Sequence, residues 1–242
     1  GAAFADRLIT LSGIVLLVFS VAAVILAPLL VNLYATSAYG ESQRELATAF
    51  ARLCLPQIFF YGIYALFSQV LNSRGRFGAP MFAPILNNVV AIGTFVLFIV
   101  IAGTAAAADG VLTADQIAIL GLGTTLGVAL QALILIPVLM RAGYRWRPRF
   151  DWKGSGLGKA GHLAAWTLAL VVVNQVGYIA ITRLATLANV NAADAGTTAA
   201  GLTTYQKANL IFVLPHSIIT VSIVTALLPA LSRVAQSGRL QQ

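Results

Sequence analysis

Three polar residues that could bind a ligand lie inside apolar runs of the C-terminal half, namely Asn174, Gln175 and His216, and Pro215 lies beside His216. A polar group at the bilayer midplane is costly unless it faces a bundle interior or a watery cavity. A proline frees a backbone carbonyl in the same place. These residues are expected either to line a cavity or to bond one another across a helix interface. His216 is not expected to carry protons, because the predicted spans contain no carboxylate that could pair with it.

Two cations lie near the outer ends of the same apolar runs, Arg183 and Lys207. Long cationic side chains at such positions ordinarily extend to the lipid headgroups. The alternative is that they face a cavity and meet an anionic substrate.

No set of residues in the sequence has a spacing suited to catalysis. Cys54 is the single cysteine, no nucleophile and base are suitably spaced, and the seven acids are placed outside the span interiors. The sequence therefore predicts no enzyme, no metal site and no cofactor. It also disfavours a transporter that binds its coupling ion at an embedded carboxylate.

The composition predicts an all-α polytopic membrane protein, because 59% of the 242 residues are hydrophobic and only 9% are charged. Long apolar runs predict six transmembrane helices. The net charge of +8 does not indicate nucleic acid, since the basic residues separate apolar runs and suit anionic lipid headgroups. The predicted spans are about 8–34, 46–71, 81–103, 116–140, 160–186 and 203–232.

The basic residues also predict the orientation. If the N-terminus is cytoplasmic, eleven of the fifteen basic residues fall on the inner side and four on the outer side or the outer span ends. Cytoplasmic loops are enriched in lysine and arginine, so we expect both ends of the chain in the cytoplasm.

The hairpin 52–90 organises the chain. Its basic turn holds Arg74, Arg76 and Phe77, which we interpret as a cytoplasmic hinge or gate, with Pro215 as a second hinge. The spans on either side carry prolines and amides, which predict broken helices and interhelical hydrogen bonds. Gly93, Gly123 and Gly127 predict close helix packing. The polar residues expected to bond between helices are Asn87, Asn88, Thr124, Thr125 and Gln131.

A basic, aromatic segment at 141–159 divides the chain into four predicted spans at 1–140 and two at 160–242. Arginines interleaved with Tyr144, Trp146, Phe150 and Trp152 are typical of a segment at the membrane surface. The glycines that follow predict a flexible joint.

Motifs in the hairpin and in the last predicted span resemble the MurJ/MviN family of lipid II flippases, of the multidrug/oligosaccharidyl-lipid/polysaccharide exporter superfamily. The similar stretches are LPQIFF, LNSRGRF, APMFAPILNN and LPHSIITVSIVTALLPALS. The resemblance implies a protein of about fourteen spans arranged in two lobes. The six spans predicted here are the third to eighth of these, and 141–159 is the linker between the lobes. The chain is accordingly expected to be a fragment.

The resemblance also implies a function. Such proteins move lipid II, or a similar polyprenyl-pyrophosphate lipid, to the outer leaflet of the bacterial cytoplasmic membrane by alternating access. The expected partners are that substrate, membrane lipids and, through regions outside this chain, cell-wall synthesis proteins. Two alternatives stay open: another exporter of the superfamily, for a drug or polyprenyl-linked sugar, and a scaffold without transport.

The family places a cavity arginine on the eighth span, where this chain has Asn209 and Leu210 instead of an acid-arginine pair. Lys207 lies three residues before Leu210, on the same helix face. We hypothesise that Lys207 replaces the missing cation. The expected cavity residues are therefore Asn174, Gln175, Arg183, Lys207, Asn209 and His216.

Overall fold

The computed structural model describes residues 2–35, 40–106, 112–151, 157–194 and 201–236, and most of these residues are helical. These ranges hold nine α-helices and no strand. The helices are α1 (Ala2–Ile25), α2 (Ala27–Tyr34), α3 (Glu41–Cys54), α4 (Gln57–Ser73), α5 (Gly78–Ala106), α6 (Ala114–Leu133), α7 (Leu135–Arg141), α8 (Leu157–Asp194) and α9 (Leu202–Gln236).

Five helical segments of the described residues are long and apolar enough to cross a membrane. They confirm the prediction of an all-α polytopic bundle. The sixth predicted span, 203–232, is helical within α9, although many of its side chains lie outside the described residues. The five segments are Ala3–Ile25, Glu41–Ser73, Gly78–Ile101, Ala114–Arg141 and Ala164–Ala188.

Prolines break three of the predicted spans. Pro28 lies in the first turn of α2, Pro56 precedes α4, and Pro137 lies in α7, four residues after α6 ends at Leu133. A proline has no N–H, and its ring collides with the carbonyl four residues earlier. The helix break predicted for the hairpin is therefore present at Pro56, whereas the breaks near Pro28 and Pro137 were not predicted.

Polar side chains bind the carbonyls that these breaks expose. The Thr125 hydroxyl donates to the Leu53 carbonyl beside Pro56, at 2.7 Å. Pro84 lies inside the continuous helix α5, and the Tyr64 hydroxyl donates to the carbonyl of Pro80, four residues before it, at 2.7 Å. An unpaired carbonyl in lipid costs several kcal/mol, so these hydroxyls let the helices tolerate their prolines.

Glycines let α6 approach its neighbours closely. A Cβ on Gly127 would lie 2.4 Å from Asn87 Oδ1, and a Cβ on Gly123 would lie 2.3 Å from Thr94 Cγ2. These contacts confirm close packing at the GxxxG pair and place Asn87 in a helix contact. The same expectation was wrong for Gly93, because a Cβ there would meet nothing within 4 Å.

The helices group into two units, residues 1–175 and 176–242. In the first unit, α6 packs against α3, α4, α5 and α7, and α1 packs against α4. In the second unit, the Gln206 amide donates to the Tyr178 hydroxyl at 3.2 Å, and Thr182 and Thr186 are buried on α8.

Candidate functional site

The turn that contains the predicted gate residues is built on a glycine cap at the end of α4. Gly75 has φ of 71°, a left-handed conformation that favours glycine. Its N–H donates to the Asn72 carbonyl at 3.0 Å, and the Arg76 N–H donates to the Leu71 carbonyl at 2.9 Å. This pair of bonds is a Schellman motif, which ends the helix and fixes the direction of the chain beyond it.

The end of α7 has the same motif. Gly143 has φ of 75°, its N–H donates to the Met140 carbonyl at 3.1 Å, and the Tyr144 N–H donates to the Leu139 carbonyl at 2.9 Å. Leu139 and Tyr144 also share the apolar cluster that contains Leu71 from the first cap. The two helix ends therefore lie side by side at one end of the bundle.

Arg74 joins the two caps. Its Nη1 donates to the Ala142 carbonyl at 2.9 Å, and its Cζ lies 5.1 Å from the centroid of the Tyr144 ring. A guanidinium can form a hydrogen bond and stack on a ring at the same time, and lysine cannot reproduce that planar geometry. Arg74 therefore fixes the turn after α4 to the chain after α7.

Tyr144 is held in turn by Asp6 of α1. The Tyr144 hydroxyl donates to Asp6 Oδ1 at 2.6 Å, and only 3% of Tyr144 and 6% of Asp6 are exposed. Burial and, after it, the hydrogen bond to Asp6 raise the pKa of Tyr144 far above its ordinary value of 10.0. The phenol consequently stays protonated and remains a donor at neutral pH.

Residues 144–151 run along the first turns of α1, and we call this segment the strap. The Arg147 N–H donates to Asp6 Oδ1 at 3.4 Å, while Trp146 Nε1 and the Arg149 N–H donate to the Thr10 hydroxyl oxygen at 3.3 and 3.2 Å. At its far end, Asp151 pairs with Arg7. That pair, chiefly through its hydrogen bond, holds the pKa of Asp151 below its ordinary value.

The strap covers one side of an apolar cavity of about 440 Å³. Three strap residues contribute to its wall, namely Trp146, Pro148 and Phe150. The rest of the wall comes from α1, α4 and the α6–α7 region and includes Ile9, Ile14, Phe59, Phe60 and Phe67. A cavity of this size and lining suits an apolar group and offers little to a charged one.

The predicted gate residues have different surroundings. Arg74 lies at the junction of the two caps, whereas Arg76 and Phe77 are exposed on the same turn. Pro215 lies within the continuous helix α9. Their action as a gate or hinge stays a prediction.

Two of the predicted cavity residues lie in the first unit. Asn174 donates to the carbonyl of Leu170 on its own helix, at 3.2 Å, and Gln175 bonds the hydroxyl of Tyr34 at the end of α2. Both side chains are exposed.

The other four predicted cavity residues lie in the second unit. Arg183 is exposed on α8, and Lys207 and Asn209 are exposed on α9. His216 Nδ1 lies 3.4 Å from the Thr220 hydroxyl, one turn along the same helix. The cavity role of all six residues stays a prediction.

The sequence pointed to neither Asp6 nor Thr10, because the first apolar run was expected to begin at Leu8. In the structure both residues lie in α1, and the Thr10 hydroxyl donates to the Asp6 carbonyl at 2.7 Å. The available signal was their spacing of four residues, which puts them on one helix face. Their partners on the strap lie more than 130 residues away and needed the fold.

A second polar cluster lies deeper in the bundle, where Gln57 Nε2 donates to the hydroxyls of Thr124 and Thr125 at 3.3 and 3.1 Å. Cys54 Sγ lies 3.8 Å from the Thr124 hydroxyl. These contacts match the interhelical bonding expected of Thr124 and Thr125. Among the described residues, no group of histidine, cysteine and acidic side chains could hold a metal ion.

Comparison with known proteins matches the family model "Lipid II flippase MurJ" to residues 1–242. A probable lipid II flippase MurJ of Haemophilus influenzae is 31% identical over 141 residues, which are 58% of this chain and 26% of the relative. The corresponding protein of Vibrio cholerae is 26% identical over 189 residues, 78% of this chain and 32% of the relative. That of Thermotoga maritima is 28% identical over 235 residues, 96% of this chain and 42% of the relative.

The matched region thus spans well under half the length of these relatives. The match to the family model nevertheless covers every helix from α1 to α9. With its membrane-length helices, the chain is part of a multi-pass protein of the bacterial cytoplasmic membrane. The match over all 242 residues places this chain in the lipid II flippase MurJ family.

Proposed function

We propose that the protein containing this chain moves lipid II from the inner to the outer leaflet of the cytoplasmic membrane. The observation that carries the proposal is the family match over residues 1–242. The proline-broken helices with side-chain-bonded carbonyls support it, because transporters use such helices to surround polar cavities. The protein is a transporter and not an enzyme.

The proposed mechanism is alternating access. Two lobes rock about the linker 141–159, with residues 1–140 in one lobe and 160–242 in the other. The termini of the chain and the turn after α4 face the cytoplasm, in accord with the basic residues there. Arg74, Arg76 and Phe77 lie at the cytoplasmic gate, and Pro215 acts as a hinge. A cavity lined by Asn174, Gln175, Arg183, Asn209 and His216 receives the headgroup.

Lys207 is proposed to supply the positive charge that meets the pyrophosphate. It is exposed on α9, and its ammonium group can approach an anion without the fixed fork geometry of arginine. Lys207→Ala in the full-length protein should reduce flipping by about tenfold or more, whereas Lys207→Arg should retain most of it. Undiminished flipping by the alanine variant would remove Lys207 from the site.

The function itself is tested by depleting the full-length protein from its own bacterium and measuring lipid II exposed on the outer leaflet. Exposure should fall, and the wild-type gene should restore it. Unchanged exposure would contradict the proposal. A fall in another polyprenyl-linked lipid would instead indicate a different exporter, and a defect in cell-wall protein assembly with normal exposure would indicate a scaffold.

A further inference from the structure

The buried carboxylate of Asp6 has no role in the proposed transport cycle, yet it holds the junction described above. It is 6% exposed and accepts hydrogen bonds from the Tyr144 hydroxyl and the Arg147 N–H, through the same oxygen. Burying a carboxylate is expensive unless such bonds compensate for the lost water. A carboxylate kept in this position therefore calls for an explanation beyond helix packing.

We propose that Asp6 is a positioning residue for the gate turn, acting through Tyr144 on Arg74, and that the strap it holds closes the apolar cavity. The structural part of this inference stands on the contacts alone. Its consequence for transport rests on the proposed function, in which Arg74 belongs to the cytoplasmic gate.

The contacts form one continuous path. Asp6 holds the Tyr144 hydroxyl at 2.6 Å, the Tyr144 ring lies under the Arg74 guanidinium, and Arg74 also binds the Ala142 carbonyl at 2.9 Å. α1 is thereby connected to the turn after α4 through the end of α7. Without Asp6, a buried phenol would lose its acceptor, so its ring would no longer have a single favoured position under Arg74.

The Asp6 carboxylate and the Thr10 hydroxyl together fix the strap where it crosses the cavity. Between Asp6 and Thr10, α1 accepts hydrogen bonds from Tyr144, Trp146, Arg147 and Arg149. A further attachment is the Arg7–Asp151 pair, in which 58% of the Asp151 side chain is exposed, and an exposed ion pair contributes little. The buried end of the strap is therefore the attachment whose loss would uncover the cavity wall.

The test measures strap opening in the full-length protein, with Cys54 and any other native cysteine replaced and Ile9→Cys as the reporter. Ile9 lines the cavity and is 3% exposed, so a thiol there reacts with a maleimide only when its cover moves. Asp6→Ala should accelerate labelling by about tenfold or more, because it removes bonds to a charged acceptor. Asp6→Asn, which keeps an acceptor oxygen, should accelerate it much less.

Tyr144→Phe provides a second variant if Asp6→Ala does not fold, and it should also accelerate labelling. A spin label at Ser73→Cys reports the turn itself, and its mobility should rise in both variants. The matched control is Arg141→Ala, which removes an exposed cation in the last turn of α7 and should change neither readout.

The positioning role is overturned if labelling and spin-label mobility stay unchanged in both variants, or if Arg141→Ala changes them equally. Lipid II exposure measured on the same variants then separates the two proposals. Faster labelling in a protein whose depletion leaves lipid II exposure unchanged would retain the positioning role and reject the flippase function.

Discussion

At the residue scale, the contribution of a glycine to helix packing in this bundle depends on the atoms that lie opposite it. Gly127 lies against the amide of Asn87, whereas Gly93 faces open space, although both are glycines within long apolar helices. Between transmembrane helices there is no hydrophobic driving force, so close packing and interhelical contacts hold them together. Local geometry therefore separates glycines that are indistinguishable by composition.

Gly127→Ala should destabilise the protein by about 1–3 kcal/mol, because the new Cβ would lie 2.4 Å from Asn87 Oδ1 and 3.2 Å from the Asn87 carbonyl oxygen. The measurement is thermal unfolding in detergent, followed by circular dichroism. Gly93→Ala is the matched control and should be neutral or stabilising by up to about 1 kcal/mol, through helix propensity. Equal effects of the two substitutions would refute the packing argument.

The Arg7–Asp151 pair should make a small, pH-dependent contribution to stability. The pKa of Asp151 is lowered in the folded protein, so the contribution is present above the ordinary value of 3.8 and is lost as the pH falls through the lowered value. The difference in melting temperature between wild type and Asp151→Asn should therefore persist at neutral pH and diminish as the pH falls below the ordinary value of 3.8. Added salt should reduce the same difference at neutral pH. A difference that does not change with pH would contradict this assignment.

At the element scale, hydroxyl groups of neighbouring helices bond two backbone carbonyls that lie close to prolines. The Thr125 hydroxyl of α6 donates to the Leu53 carbonyl beside the break at Pro56. The Tyr64 hydroxyl of α4 donates to the Pro80 carbonyl, four residues before Pro84. The sequence shows the prolines, and it also shows threonine and tyrosine in other spans. Which hydroxyl meets which carbonyl depends on how the helices are rotated about their axes, and only packing sets that rotation.

Thr125→Val should cost about 1–3 kcal/mol, because it leaves the Leu53 carbonyl without its donor inside the bundle. The cost should be smaller in a Pro56→Ala background, where a continuous helix can offer that carbonyl the N–H of Gln57. Melting temperatures of the four proteins give the coupling between the two sites. If the effects of the two substitutions on the melting temperature are additive, the Thr125 hydroxyl does not compensate for the helix break at Pro56.

At the scale of the whole molecule, the charge distribution predicts orientation. Ser73 and Ala114 are exposed near opposite ends of the predicted third span, beside the basic turn and the acidic start of α6. In a cysteine-free background, Ser73→Cys should react with a membrane-impermeant thiol reagent only after spheroplasts are opened, whereas Ala114→Cys should react in intact spheroplasts. The reverse pattern would invert the proposed topology.

The sequence alone determined the helical membrane class, the approximate positions of five spans and the family, since each follows from local composition or from contiguous motifs. It also singled out Arg74, through its place in a basic turn. It did not show that Arg74 stacks on Tyr144, or that Tyr144 is held by Asp6, since these partners are separated by 70 and 138 residues. Only the tertiary structure decided those contacts. The burial of an acid near the start of a helix depends on a distant segment that packs over it, and the local sequence does not show that packing.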